Sequence, residues 1–263
     1  MAHKNASNWS PYKGGKGSSG EGKKNRRPLR GRHRQPPKVF PFNQADDRLQ
    51  DIFRNHGFEK VPHETRHQFV KFYHLLMKVQ TKENFTRLLS LKDVAIRHFI
   101  DCMIVNDLTE LSYPLLDMGT GPGFPGIPLR IVTSPDNKIV LSEGVQRRVE
   151  FLKKVRTALE LENLHIIGRN VTPEFTYPVQ GVITRAVEDA RNTLGNVINC
   201  LPVGGKVFLM KGPNVDPEIP VAKKTWAGFY ELENDIAYEL PNTPHRRRLL
   251  VYKKLRHKDE KKV

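Results

Sequence analysis

One stretch constrains this chain more than any other: Asp117-Met118-Gly119-Thr120-Gly121-Pro122-Gly123-Phe124-Pro125-Gly126. It follows the apolar pair Leu115-Leu116 and opens a short helical stretch that ends near Val132. A strand–turn–helix junction is the context in which a glycine turn binds a ligand. Glycines at alternate positions permit positive φ and let the backbone approach a ligand with no Cβ between them. A dinucleotide site needs glycine where Phe124 stands, and a P-loop needs a Lys-Ser/Thr pair that is missing here. What remains is acid-x-Gly-x-Gly-x-Gly, the pattern of S-adenosylmethionine sites. Twenty residues beyond Gly123, Glu143 closes the next strand, where a carboxylate accepts both hydroxyls of a ribose. A tight turn with no ligand is the competing reading, and the flanking strand, the helix and Glu143 weigh against it.

The rhythm after Tyr113-Pro114 supports the junction. Short apolar runs at 115–118, 138–141, 165–167, 180–184 and 206–210 alternate with helical stretches, notably 145–161 and 187–200. Such alternation predicts an α/β fold with parallel strands and crossover helices. The last two strands, GFYELENDIAYEL and RRLLVYKKL, are joined by Pro241-Asn-Thr-Pro244. That connection is too short for a crossover helix, so this pair is antiparallel. Upstream, Leu49, Ile52 and Phe53, then Phe69, Phe72, Leu76 and Val79, recur at helical spacing. The expected organisation is a disordered basic arm over 1–45, a helical subdomain over 46–112, a ligand-binding α/β domain over 113–255 and a basic tail over 256–263.

Charge marks those ends. The chain carries a formal +16, yet residues 1–45 hold eleven Lys/Arg against one acid, and 245–263 hold nine against two. The middle is close to neutral. The first segment, rich in Gly, Ser, Pro and Lys/Arg, cannot bury enough apolar surface to order itself. It reads as an arm on RNA phosphates with Trp9 and Tyr12 free to stack on bases, or as a solubilising tail. No run approaches the apolar length of a membrane span, and no apolar segment of a secretory signal follows the basic start. Two cysteines, Cys102 and Cys200, make neither a disulfide scaffold nor a cysteine zinc site and suit a cytoplasmic protein. His63, His67, His74 and His98 have no cysteine pair at ligand spacing, so no metal is expected.

The sequence resembles a known family. LLDMGTGPGFPGIPLRIV closely matches the signature of the bacterial small-subunit rRNA guanine-N7 methyltransferases, also called the glucose-inhibited division protein B family. Further matches are Asn84-Phe-Thr, Arg97-His98-Phe-Ile-Asp101, Arg148-Val-Glu-Phe151-Leu152 and Leu161-Glu162-Asn163. They continue through Gly181–Ala186, Leu209-Met-Lys211-Gly212 and Arg247-Arg248-Leu-Leu-Val251, so the resemblance runs over roughly 46–255. It implies a class I AdoMet-dependent methyltransferase, Rossmann-like, with a seven-stranded sheet whose last strand is antiparallel. It implies S-adenosylmethionine as cofactor and one guanine in the decoding region of 16S rRNA, naked, in a precursor or in the small subunit, as substrate.

Carried over residue by residue, the resemblance puts the methionine moiety and ribose near Gly119 and Phe124, with Asp117, Gly121 and Gly123 in the same turn. Glu143 takes the ribose, Val171 and Thr172 border adenine, and Arg185, at the end of the fourth strand, joins the cofactor site. Arg169, Lys211 and Arg247 are expected to face RNA. The stretch GRNVTPEF departs from the family pattern: either Arg169 or Asn170 holds the place of an arginine, and Thr172 replaces an acid. Guanine N7 carries an in-plane lone pair and no proton, so no general base is expected, and Lys211 and Arg247 are cast as holders of phosphate or O6. A salt bridge to Glu188 or Asp189 is the bland reading of Arg185, a solvated side chain that of Lys211, and a charged strand start that of Arg246–Arg248. At period two, Arg247 faces away from its two neighbours. Rival functions are a non-catalytic RNA-binding assembly factor on the same fold and a methyltransferase for another RNA. A monomer is expected.

Overall fold

A computed structural model describes residues 38–257. Five strands lie parallel, joined by crossovers, and all but the edge strand β3 are largely buried: β1 (Leu115–Met118), β2 (Ile139–Ser142), β3 (Leu164–Ile167), β4 (Gly181–Arg185) and β5 (Lys206–Lys211). β6 (Tyr230–Glu239) and β7 (Arg246–Lys254) form the closing hairpin, and β7 inserts antiparallel between β5 and β6. The order is β3-β2-β1-β4-β5-β7-β6, the seven-stranded arrangement that the resemblance implies.

Alternate residues of the strands feed two apolar clusters. Leu115, Ile139, Ile183, Phe208 and Val251 join one, Leu116, Val140, Val182, Val207 and Leu250 the other. Against the first pack α1 (Phe42–Asn55), α2 (His63–Glu83), α5 (Gly126–Val132) and α6 (Gln146–Ala158), through Phe53, Phe69, Phe72, Ile127 and Leu152. Against the second pack α7 (Ala190–Asn196) and α8 (Glu218–Thr225). The helical segment therefore shares one core with the sheet. Its last helix runs from α3 (Leu91–Val94) through a π-helical turn, Ala95–Ile100, into α4 (Asp101–Leu108). That turn presents Arg97 and His98 beside Asp101, and π turns are frequent at functional sites.

Two expectations need correction. The arm does not extend to residue 45, since α1 begins at Phe42 and Ala45 is fully buried. Phe42 packs edge-on against His67 with ring centroids 5.1 Å apart, and His74 Nε2 lies 2.8 Å from the Phe40 carbonyl. A boundary drawn from charge overlooks two phenylalanines. The helix expected over 187–200 shrinks to α7, because the Asp189 side chain accepts from Asn192 N and starts the helix there. Helix α8, with Pro220 in its first turn, has no counterpart among the expected elements. The arm before residue 38 and the tail after 257 lie outside the described residues.

Candidate active site

The turn after β1 is built around a buried carboxyl. Asp117 Oδ2 accepts hydrogen bonds from Thr120 Oγ1 and from Gly126 N, the latter at 2.7 Å. At Gly126 a Cβ would stand 2.2 Å from Leu141 Cδ2 and 2.7 Å from Asp117 Oδ2, so helix α5 can start this close to the sheet only on glycine. Asp117 itself is fully buried, its Oδ1 has no partner among the described residues, and burial pushes its carboxyl up to about 7. It braces the turn from behind and does not line the cavity in front.

That cavity, of about 600 Å³, lies at the carboxyl ends of β1, β4 and β5, where open α/β sheets bind their ligands. Gly119–Pro122 and Phe124 form one wall. Gly121, at φ +61°, has open space where a side chain would be. Phe85–Leu88 form a second wall, pinned by Gln80, which donates to Thr86 O at 2.8 Å and accepts from Thr86 N at 3.0 Å.

The remaining wall is cationic: Arg97, Arg185, Lys211 and Arg247. Its single carboxylate, Asp101, is 1% exposed and anchors the group. Asp101 Oδ1 accepts from Tyr238 Oη at 2.9 Å. Its Oδ2 lies 3.5 Å from Arg247 Nε and 3.6 Å from Arg185 Nη1. One carboxylate facing two guanidiniums leaves the wall net positive. Arg185 also donates to Arg97 O at 3.1 Å and to His98 Nδ1 at 2.7 Å. Because arginine always donates, His98 Nδ1 accepts and its proton sits on Nε2. Burial, then Arg185 and Arg97, hold the His98 imidazole well below its usual range, so it stays neutral. Its ring stacks on Phe124 at 4.0 Å, linking the cations to the glycine turn.

The structure thus brings Gly119, Gly121, Phe124, Arg185, Lys211 and Arg247 to one cavity. Arg185 pairs with Asp101 rather than with Glu188 or Asp189. Lys211 is not solvated: its ammonium donates to Glu188 O at 2.6 Å and to Glu218 Oε2 at 2.8 Å. Arg247 turns to Asp101, whereas Arg246 pairs with Glu239 and Arg248 with Asp235 and Asp216, as period two requires. Gly123 is packed beneath the turn, where a Cβ would lie 2.2 Å from Ile127 Cδ1.

Glu143, Arg169, Val171 and Thr172 lie outside this cavity. The Glu143 carboxylate is buried, with Oε1 accepting from Val145 N at 2.8 Å and Oε2 3.4 Å from Arg148 Nη1. Arg169 is exposed and stacks on Phe175, 4.7 Å from the ring centre, while Asn170 packs against Gly144. Val171 is buried and Thr172 exposed. Sequence reasoning gives no role to Arg97, His98 or Asp101; the signal for them is the family-like stretch Arg97-His98-Phe-Ile-Asp101, charged residues set within an apolar run.

Elsewhere, Asp46, His63 and His67 bring ligand-type atoms within 4.8 Å of one another. Both Asp46 oxygens already accept from Arg66, at 2.8 and 2.9 Å, so this group is an ion pair flanked by imidazoles. No helix among the described residues is long and apolar enough to cross a membrane.

The family described as rRNA small subunit methyltransferase G, GidB, matches residues 65–242. Among curated proteins, ribosomal RNA small subunit methyltransferase G 2 of Bdellovibrio bacteriovorus is 60% identical over 226 residues, covering 86% of this chain and 88% of that one. The protein of the same name from Syntrophobacter fumaroxidans is 39% identical over 80% of this chain and 42% of that longer one. Ribosomal RNA small subunit methyltransferase G of Carboxydothermus hydrogenoformans is 33% identical, covering 81% and 93%.

Proposed function

The chain belongs to the rRNA small subunit methyltransferase G family, and from that premise we propose that it methylates N7 of one guanine in the decoding region of 16S rRNA. The cofactor is S-adenosylmethionine, which supplies an electrophilic methyl group when bound. The chain's residues fit it. Gly121 opens the turn onto the cavity, and the Glu143 Oε2, only loosely held by Arg148, is a buried acceptor for a ribose diol.

One observation carries the reading: a single cavity joins the glycine turn to a wall of cations, with its only carboxylate already committed to Tyr238, Arg185 and Arg247. A reaction at guanine N7 needs no proton removed, and this site offers no free base. It needs alignment and a held base. Arg247 and Lys211 hold phosphate or guanine O6, Lys211 by exchanging Glu218 for the RNA. Arg185, tied to His98 and Asp101, keeps the turn and the cationic wall in register. The protein acts as a cytoplasmic monomer without a metal.

Mapping N7-methylguanine in 16S rRNA with the gene present and deleted tests the reading. A map that does not change returns the chain to an assembly factor or to another RNA. Glu143→Ala should weaken cofactor binding at least tenfold by calorimetry; unchanged affinity removes Glu143 from the site.

A further inference from the structure

A second cavity, of about 620 Å³, lies between the end of α1, the helix carrying the π turn and the β6–β7 turn. Arg97 lines both this cavity and the one that meets the glycine turn. Its backbone carbonyl is fixed by Arg185 at 3.1 Å, while its Nε is buried with no hydrogen-bond partner among the described residues. A buried unpaired guanidinium nitrogen costs stability unless a ligand completes it. Lys92 adds a second cation, and the cavity's one acid, Asp93, is already engaged as acceptor from Ser90 Oγ at 2.6 Å.

The other lining groups suit a base. His56 Nδ1 donates to Ile52 O at 2.7 Å, which leaves Nε2 for a ligand. Burial and the neighbouring Arg97 and Arg247 lower the His245 imidazole from its usual range, which favours its neutral form. Asn242, in the left-handed region at φ 57°, donates through Nδ2 to Asn55 O, which fastens the turn to α1 and leaves its Oδ1 as an acceptor. Cations at one side and neutral hydrogen-bonding groups at the other match a phosphate and the base attached to it.

We propose that this cavity is a binding site for a nucleotide of the substrate RNA flanking the target guanine, with Arg97 and Lys92 on the phosphate and His56, Asn242 and His245 around the base. The proposal rests on the RNA reading above and adds a subsite to it. Shared lining by Arg97 places the flanking phosphate at the partition between the two cavities, so one side chain spans the strand on leaving the target pocket.

The experiment compares wild type, Lys92→Ala and Arg97→Gln. Methylation kinetics use small-subunit particles lacking the modification, and a salt titration measures 16S rRNA binding. Each variant should raise KM at least fivefold, and each should flatten the slope of log K against log salt by about 0.7–0.9 per lost contact. Cofactor affinity, unchanged within twofold, certifies the fold. A KM and a slope both at wild-type values would overturn the subsite. Particles left unmethylated by the wild type would sink the proposed reaction instead, and the salt slope would still decide the subsite.

Discussion

At the scale of single residues, the site depends on two buried carboxyls used in opposite ways. Asp101 is surrounded by donors, and its charge is what keeps Arg185 and Arg247 in fixed positions. Asp101→Asn keeps an acceptor for Tyr238 but releases both guanidiniums. We expect kcat to fall at least tenfold while rRNA binding tightens and its salt dependence steepens; a variant that loses affinity instead would mean that Asp101 only supports the fold. Asp117 has no cation bonded to it, and its carboxyl ionises near about 7 in the folded chain against 3.8 unfolded. The stability that this one carboxyl contributes is therefore fully present below about pH 4, declines as pH rises to about 7, and is flat beyond. In urea unfolding, wild type should lose at least about 1 kcal/mol between pH 5 and pH 8 that Asp117→Asn does not. Equal losses in both proteins would remove Asp117 from the account. The two roles are not equally legible in the sequence. The position of Asp117 before the glycines announces a turn, but its burial under Gly126 is set by packing against Leu141. Asp101 meets Tyr238 and Arg247 across a separation of well over a hundred residues, which no local pattern encodes.

At the scale of elements, the central strands β1, β2, β4 and β5 are readable because burial makes them short apolar runs, displaced by at most a residue from their observed ends. Helices are less so where a cap or a proline decides. Asp189 shortens α7, and α8 carries Pro220 in a stretch too short and polar for a clear period. The β1–α5 junction is the element most exposed to a small change. Gly126→Ala forces a Cβ against Leu141 and Asp117, whereas at Gly212, on the rim of the cavity, an added Cβ would meet nothing within 4 Å. Thermal unfolding should show Gly126→Ala destabilised by about 1–3 kcal/mol and Gly212→Ala nearly neutral. Equal effects would mean that the junction relaxes. The π turn has a similar sensitivity. It holds Arg97 and His98 beside Asp101 on the cavity wall.

At the scale of the whole molecule, catalysis and charge occupy different parts of the chain. Residues 1–37 hold ten Lys/Arg and one acid, while the cavity draws on five cations from five separate segments. Deleting residues 1–37 leaves Phe40 and Phe42 in place against α2, and so should lower rRNA affinity and flatten its salt dependence with cofactor binding unchanged. A salt slope equal to that of the full chain would make the segment a solubilising tail. The long reach of Asp101 also bears on how the protein is made. Tyr238 and Arg247 follow it by 137 and 146 residues. A chain emerging from the ribosome presents the glycine turn long before the final hairpin arrives to close the cationic wall. Until then Asp101 lacks two of its partners, and β5 lacks the strand beside it. The hairpin completes the site, so a product truncated before it carries the cofactor signature with a cationic wall that lacks Arg247.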